Sequence, residues 1–160
     1  MVPPPEPEPD PDNLPPTLEW NLAVPQSFWW LHNKTKSAPG EAPDTLSFDI
    51  TQAVSDPEGD RLSYIWYWST GSKDDKTLRP EYARNTMSLR PCEQVPLQLA
   101  ESVQVVVVVS DRELTWIGGT KDSGQPVEVV PLEGEDPLDA AQRLAYRSWH
   151  VYFTNPAGCL

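Results

Sequence analysis

Asp56-Pro57-Glu58-Gly59-Asp60 leads into Arg61-Leu62-Ser63-Tyr64-Ile65-Trp66-Tyr67-Trp68, and this stretch decides the fold. Strict alternation puts Leu62, Tyr64, Trp66 and Trp68 on one face and Ser63, Ile65 and Tyr67 on the other, the period of a β-strand. Pro57 presets φ for a turn, and Gly59 tolerates the positive φ that Asp and Glu adopt poorly. An acidic turn feeding an aromatic strand points to a β-sandwich with Trp66 sealed between its sheets.

Upstream, Leu46, Phe48 and Ile50 alternate with Ser47, Asp49 and Thr51, which predicts a half-buried strand. Trp20, Leu22 and Val24 read as an edge strand ended by Pro25, and Phe28 to Leu31 as its apolar continuation. Downstream, residues 71–85 read as a polar loop. Thr86 to Arg90 is a short strand with Met87 and Leu89 inward. Val105 to Val109 are consecutive valines inside an apolar run from Val103. β-Branched residues favour strands, and apolar character on both faces marks a central strand covered on both sides. Leu114 to Glu135 is irregular, with one extra strand at Val127, Val129 and Val130. Asp136-Pro137 carries the cap and first-turn signals of a helix, with Leu138, Ala141, Leu144 and Ala145 on one face. Trp149, Val151 and Phe153 mark the last strand. The expected fold is all-β: an immunoglobulin-like antiparallel sandwich of about seven strands, with one short helix inserted before the last.

Residues 1–16 hold eight Pro, four acidic residues and no basic one. They read as an extended, self-repelling tether at roughly 3 Å per residue, either a stalk or an undistinguished terminus. Residues 17–160 form the folded domain. The formal net charge of −12 disfavours nucleic acid and anionic membrane surfaces, because phosphate contacts need clustered Lys and Arg. No apolar run is long enough to span a bilayer. No signal peptide is visible, so the chain is either cytosolic or has lost an N-terminal export segment. Removal is favoured, and a membrane is then met only through that removed anchor.

Cys92 and Cys159 are the two cysteines. Their spacing suits no zinc site. A bridge between them closes a loop of roughly 70 residues and contributes about 4 kcal/mol in the chain-entropy treatment. It implies an oxidising compartment. Two free thiols are the alternative.

With these residues in hand, the chain resembles bacterial PKD-type and cadherin-like immunoglobulin-fold modules. Asn13-Leu14-Pro15-Pro16 resembles their Pro-rich lead-in. Val54-Ser55 through Asp60, then Leu62, Tyr64 and Trp66, resembles their second-strand exit and third strand. Val105 to Val109 with Ser110-Asp111 resembles their penultimate strand and its turn. Some 35 residues, helix included, stand where the family has a short hairpin. The resemblance implies an exported surface, periplasmic or extracellular module for adhesion, spacing or binding, without catalysis.

Two sites follow. In such a topology the turns at 56–60 and 110–113 share one pole, gathering Asp56, Glu58, Asp60, Asp111 and Glu113. Carboxylates on turns are ligands for calcium, and some cadherin-like modules bind it this way. The alternative is that the aspartates accept backbone N–H bonds, with Arg61 and Arg112 as neutralising partners. No cofactor is otherwise required. Seven Trp in 160 residues are also more than one core needs. Trp29, Trp30 and Trp116 are the candidate ligand-binding residues, stacking on polysaccharide in a carbohydrate-binding module or seating a protein partner. Filling gaps under loops is the structural alternative. A structural subunit of a surface assembly is a further reading. No Gly-x-Ser-x-Gly, His-Glu-x-x-His, phosphate-loop or dinucleotide motif is present. Asn33-Lys34-Thr35 matches a glycosylation sequon, relevant only in a eukaryotic secretory host.

Overall fold

The computed structural model describes residues 16–55 and 61–160. The tether expected over residues 1–16 therefore lies outside the described residues up to position 15. The elements run β1 (Thr17–Leu18), β2 (Trp29–His32), β3 (Leu46–Asp49), β4 (Val54–Ser55), β5 (Ser63–Thr70), β6 (Arg79–Glu81), β7 (Thr86–Leu89), α1 (Val95–Gln98), β8 (Ser102–Ser110), β9 (Glu113–Trp116), β10 (Val127–Val130), α2 (Pro137–Ala141) and β11 (Leu144–Phe153). A five-stranded sheet, β2-β11-β8-β5-β6, is the frame, with two-stranded pairs β1-β4, β3-β7 and β9-β10 around it.

The valine run forms β8, flanked antiparallel by β5 and β11. Val103, Val105, Val107 and Val109 join one core cluster with Trp66, Trp68, Trp149 and Val151, while Val106 and Val108 join a second with Ile65 and Val127. Apolar side chains on both faces of a strand demand a cover on each side. On the inner face β3 and β7 supply Leu46, Phe48, Met87 and Leu89. On the outer face the β9-β10 hairpin supplies Leu114, Trp116 and Val127, which cluster with Ile65, Val106 and Val108 of β5 and β8 and with Leu144 of β11. The arrangement is consistent with a sandwich of stacked sheets.

Trp66 is 0% exposed and stacks on Trp149 with ring centroids 5.8 Å apart and planes 9° apart. Phe48 closes the cluster at 5.1 Å from the Trp149 ring and 6.4 Å from that of Trp66. A buried indole N–H needs an acceptor. That of Trp66 donates to the Arg84 carbonyl at 2.7 Å, and that of Trp149 to the Pro25 carbonyl at 2.9 Å.

Four expectations change. The sheet is mixed, not purely antiparallel, because β2 runs parallel to β11 at its edge, with Trp29 opposite His150 and Leu31 opposite Tyr152. There are eleven described strands, not about seven, because β6 and β9 form inside segments read as loop and the two-residue pair β1-β4 adds two more. β6 is recruited by the longer aromatic strand, and β9 pairs with β10, a strand of its own length. Residues Trp20–Leu22 are a 3-10 turn instead of an edge strand. The Leu22 N–H bonds locally to the Glu19 carbonyl at 3.0 Å, and only Val24 bridges to a strand. Finally, α2 stops at Ala141, because Leu144 and Ala145 pair with Ser110 and Val109 in the β11-β8 ladder. Its Asp136 cap, accepting from the Leu138 N–H at 2.8 Å, is as expected, but Leu138 itself is exposed.

The C-terminus is clasped. Cys92 and Cys159 are bonded, with Cα atoms 5.1 Å apart. The Asn155 side chain accepts from the Lys34 N–H at 2.7 Å and donates to the Lys34 carbonyl at 2.8 Å, continuing the backbone pattern of the β2-β11 pair. Gly158 sits so close that a Cβ there would fall 2.9 Å from the Lys34 carbonyl oxygen. The Lys34 ammonium, buried, donates to the carbonyls of Leu97, Ala100 and Pro156 at 2.5, 2.9 and 2.8 Å. It also lies 4.3 Å from the Phe153 ring centre.

Trp66→Ala removes the largest ring from the sealed cluster and leaves a cavity. The variant is expected to lose about 3–5 kcal/mol in urea unfolding followed by circular dichroism. A loss below about 1 kcal/mol contradicts the central place of this ring.

Candidate functional site

Parity along two adjacent strands builds the most distinctive surface. On β11, Arg147, Trp149, Val151 and Phe153 point into the inner core, so Ser148, His150 and Tyr152 face outward. On β2, Trp30 turns inward and packs on Phe48 at 6.0 Å, so Trp29 and Leu31 face outward. On this face the β9-β10 hairpin packs through Leu114, Trp116 and Val127 in a cluster with Ile65, Val106, Val108 and Leu144, while Phe28, Trp29 and Tyr152 stand outside both core clusters. What remains is an open aromatic shelf. Phe28 is 53%, Trp29 61% and Tyr152 43% exposed, values that set them apart from the sealed core rings. Trp29 meets Tyr152 edge-on at 6.3 Å, and His150 stacks on Tyr152 at 5.1 Å. Phe28, Trp29, Ser148, His150 and Tyr152 line a groove of about 450 Å³. Burial lowers the His150 pKa, so its imidazole is neutral at physiological pH.

A buried cation supports the shelf from beneath. Arg147 is 0% exposed and donates to the carbonyls of Pro25 and Gln26 at 3.1 and 2.6 Å. Its guanidinium lies between the rings of Phe28 and Trp149, 4.9 and 4.8 Å from their centres. Two carbonyls and two aromatic faces compensate part of the desolvation that lowers its pKa. The arginine thus fixes the 25–28 segment, and with it Phe28, against β11.

The expected ligand residues separate. Trp29 stands on the shelf. Trp30 belongs to the inner core, and Trp116 is half-buried on β9, 5.5 Å from the Tyr67 ring. Phe28, His150 and Tyr152 were not among the expected ligand residues, although the alternation with Trp149, Val151 and Phe153 already sends His150 and Tyr152 to the outward face.

At the acidic pole, Ser63 pairs with Ser110, which brings the start of β5 beside the 110–113 turn. Asp56, Glu58 and Asp60 lie outside the described residues. The Asp111 carboxylate is nearly sealed, gripped by the Arg143 guanidinium and 3.6 Å from that of Arg112. Arg112 in turn holds Glu135 through two bonds of 2.9 and 2.6 Å. These bonds pull the Glu135 pKa down to about 2 against the opposing effect of desolvation. Glu113 is exposed on β9. Among the described residues, no group of three or more His, Cys, Asp or Glu is placed to hold a metal ion.

Comparison with protein-family models, with curated proteins and with solved structures finds no match to this chain.

Two outcomes follow from these contacts. Glu135 stabilises the fold above its unfolded pKa near 4.5, and this contribution disappears as pH falls through about 2. Glu135→Gln is therefore expected to cost about 1–2 kcal/mol at pH 7, the pair being partly solvated, with the difference closing near pH 2. An undiminished difference in acid contradicts the pairing. Arg147→Ala strands two carbonyls and opens a void, for an expected loss of about 3 kcal/mol by thermal or urea unfolding.

Proposed function

We propose that this chain is a non-catalytic, exported binding module of immunoglobulin-like architecture, held at a cell surface, whose partner docks on the β2-β11 shelf. The observation that carries the reading is the exposed set Phe28, Trp29 and Tyr152 around one groove, Trp29 and Tyr152 on the sheet face and Phe28 in the segment leading into β2. Large aromatics exposed together, around a groove, mark interaction sites more often than ordinary surface. Trp29 and Tyr152 stand on paired strands, and a buried arginine holds the segment that carries Phe28, so the site is preorganised and a partner meets little ordering cost.

Three features support the wider reading. An antiparallel pair of β5 with the valine strand β8, roofed by β3 and β7 over Trp66, is the layering of a β-sandwich and supports the immunoglobulin-like reading. The Cys92–Cys159 bond suits an oxidising compartment, hence export. The Pro-rich, acidic start of the chain suits a stalk. A pure spacer, or a structural subunit of a surface assembly, is the competing reading and gives no role to an open aromatic groove. Calcium stays a proposal for Asp56, Glu58 and Asp60, with Asp111 already engaged by Arg143.

The test is binding of the labelled full chain to intact bacterial and eukaryotic cells, read by flow cytometry. Saturable binding is expected on at least one surface. Trp29→Ala and Tyr152→Ala should each weaken it at least about tenfold, and Tyr82→Ala, exposed elsewhere, should not. Unchanged melting temperatures exclude misfolding. Absence of binding, or binding indifferent to both shelf variants, overturns the proposal in favour of a spacer.

A further inference from the structure

The shelf continues inward as a strip across the sheet. Pairing sets Trp29 opposite His150, and His150 opposite Gln104 on β8. A neighbouring row sets Ser148 opposite Val106, and Val106 opposite Tyr67 on β5. A second groove, of about 380 Å³, lies over this row and shares Ser148 with the first. Its floor is Val106 and Val108, and Tyr146 and Gln125 border it. From Trp29 on β2 to Gln104 on β8 the strip crosses two strand spacings, about 10 Å. That span suits a linear chain of linked rings better than one small molecule.

Charge is the discriminating property. The protein carries a formal net charge of −12, yet no Asp, Glu, Lys or Arg lines either groove among the described residues; the adjoining groove beyond Gln104 has one, Lys121, whose ammonium is engaged by the carbonyls of Thr70 and Ser72. A polyanion finds no cation in the first two and is repelled by the whole molecule. A basic peptide finds no carboxylate. A purely apolar partner would desolvate Gln104, Gln125, Ser148 and the His150 imidazole without giving them hydrogen bonds. A neutral sugar chain satisfies both demands. Its C–H faces lie on aromatic rings, and its hydroxyls donate to and accept from amide, hydroxyl and imidazole groups. Trp29 and the Tyr152–His150 stack meet nearly at right angles, an interplanar angle of 79° between Trp29 and Tyr152, and so form two walls of a corner.

We propose that the strip over β2, β11 and β8 binds a linear neutral polysaccharide lying across the strands, with Trp29 and Tyr152 contacting ring faces and Gln104, Ser148 and His150 contacting hydroxyls. This rests on the β2-β11 face being the binding face.

Affinity electrophoresis of the full chain through gels containing one polysaccharide each supplies the test. The neutral set spans β-1,4-, β-1,3-, α-1,4- and α-1,6-linked glucans, a mannan, a xylan and a galactan. The anionic set is alginate, polygalacturonate and heparin. At least one neutral polymer is expected to retard the protein, unaffected by raising salt from about 0.05 to 0.5 M. Trp29→Ala, Tyr152→Ala and Gln104→Ala should each reduce that retardation at least about fivefold, with Tyr82→Ala as unchanged control. Retardation by no neutral polymer, or salt-sensitive retardation by the anionic ones, overturns the proposal. So does neutral binding that survives the shelf variants. Cell binding that depends on Trp29 but accompanies no glycan retardation leaves the shelf as a binding face and points to a protein partner. Cell binding indifferent to Trp29 removes both readings.

Discussion

Two indoles, Trp66 from β5 and Trp149 from β11, stack nearly parallel across the central strand β8, and the remaining architecture is arranged to keep them dry. Their faces need an apolar lid, which Phe48 and the β3-β7 pair supply. Their N–H groups need acceptors, which the Arg84 and Pro25 carbonyls supply. Meeting those demands pins the 25–28 segment at one edge of the sheet and the chain around Arg84 at the other. The same constraint sets the parity of β5 and β11, so it also decides which side chains stand on the outer face.

Two buried cations do unusual work at the edges of this core. Lys34 and Arg147 are both almost fully buried and both donate to main-chain carbonyls. Burying charge without compensation is costly, and carbonyl dipoles together with aromatic faces provide that compensation. Each cation gathers segments distant in sequence: Lys34 joins the end of β2, the α1 region and the C-terminal loop, while Arg147 joins β11 to the 25–28 segment. The disulfide reinforces the first of these junctions covalently. The second underlies the aromatic shelf, so a side chain with no outward face shapes the proposed binding surface.

Charge is distributed to match. Near the 110–113 turn, Asp111, Arg112, Arg143 and Glu135 pair among themselves and tie that turn to the segments before α2 and β11. Carboxylates engaged in this way are poor ligands for an added cation. The two grooves over β2, β11 and β8 are lined by no charged side chain, and Lys121 borders the adjoining one. The paired strands supply position there, and parity supplies the aromatic rings.

Much of the fold was legible in residues 46–50, 62–68, 86–90, 103–109 and 149–153, because strand periodicity is local and states which side chains share a face. The Cys92–Cys159 bond was legible because no other cysteine competes. Other features were decided only by the tertiary structure. The parallel docking of β2, the recruitment of β6 and β9, and the early end of α2 depend on backbone hydrogen bonds with distant strands, and those bonds carry no side-chain signature. Exposure was equally hidden. Trp29 and Trp30 are neighbours of the same type, and which of them meets solvent depends on which parity of β2 packs against Phe48 in the inner core, a contact made only in the folded chain.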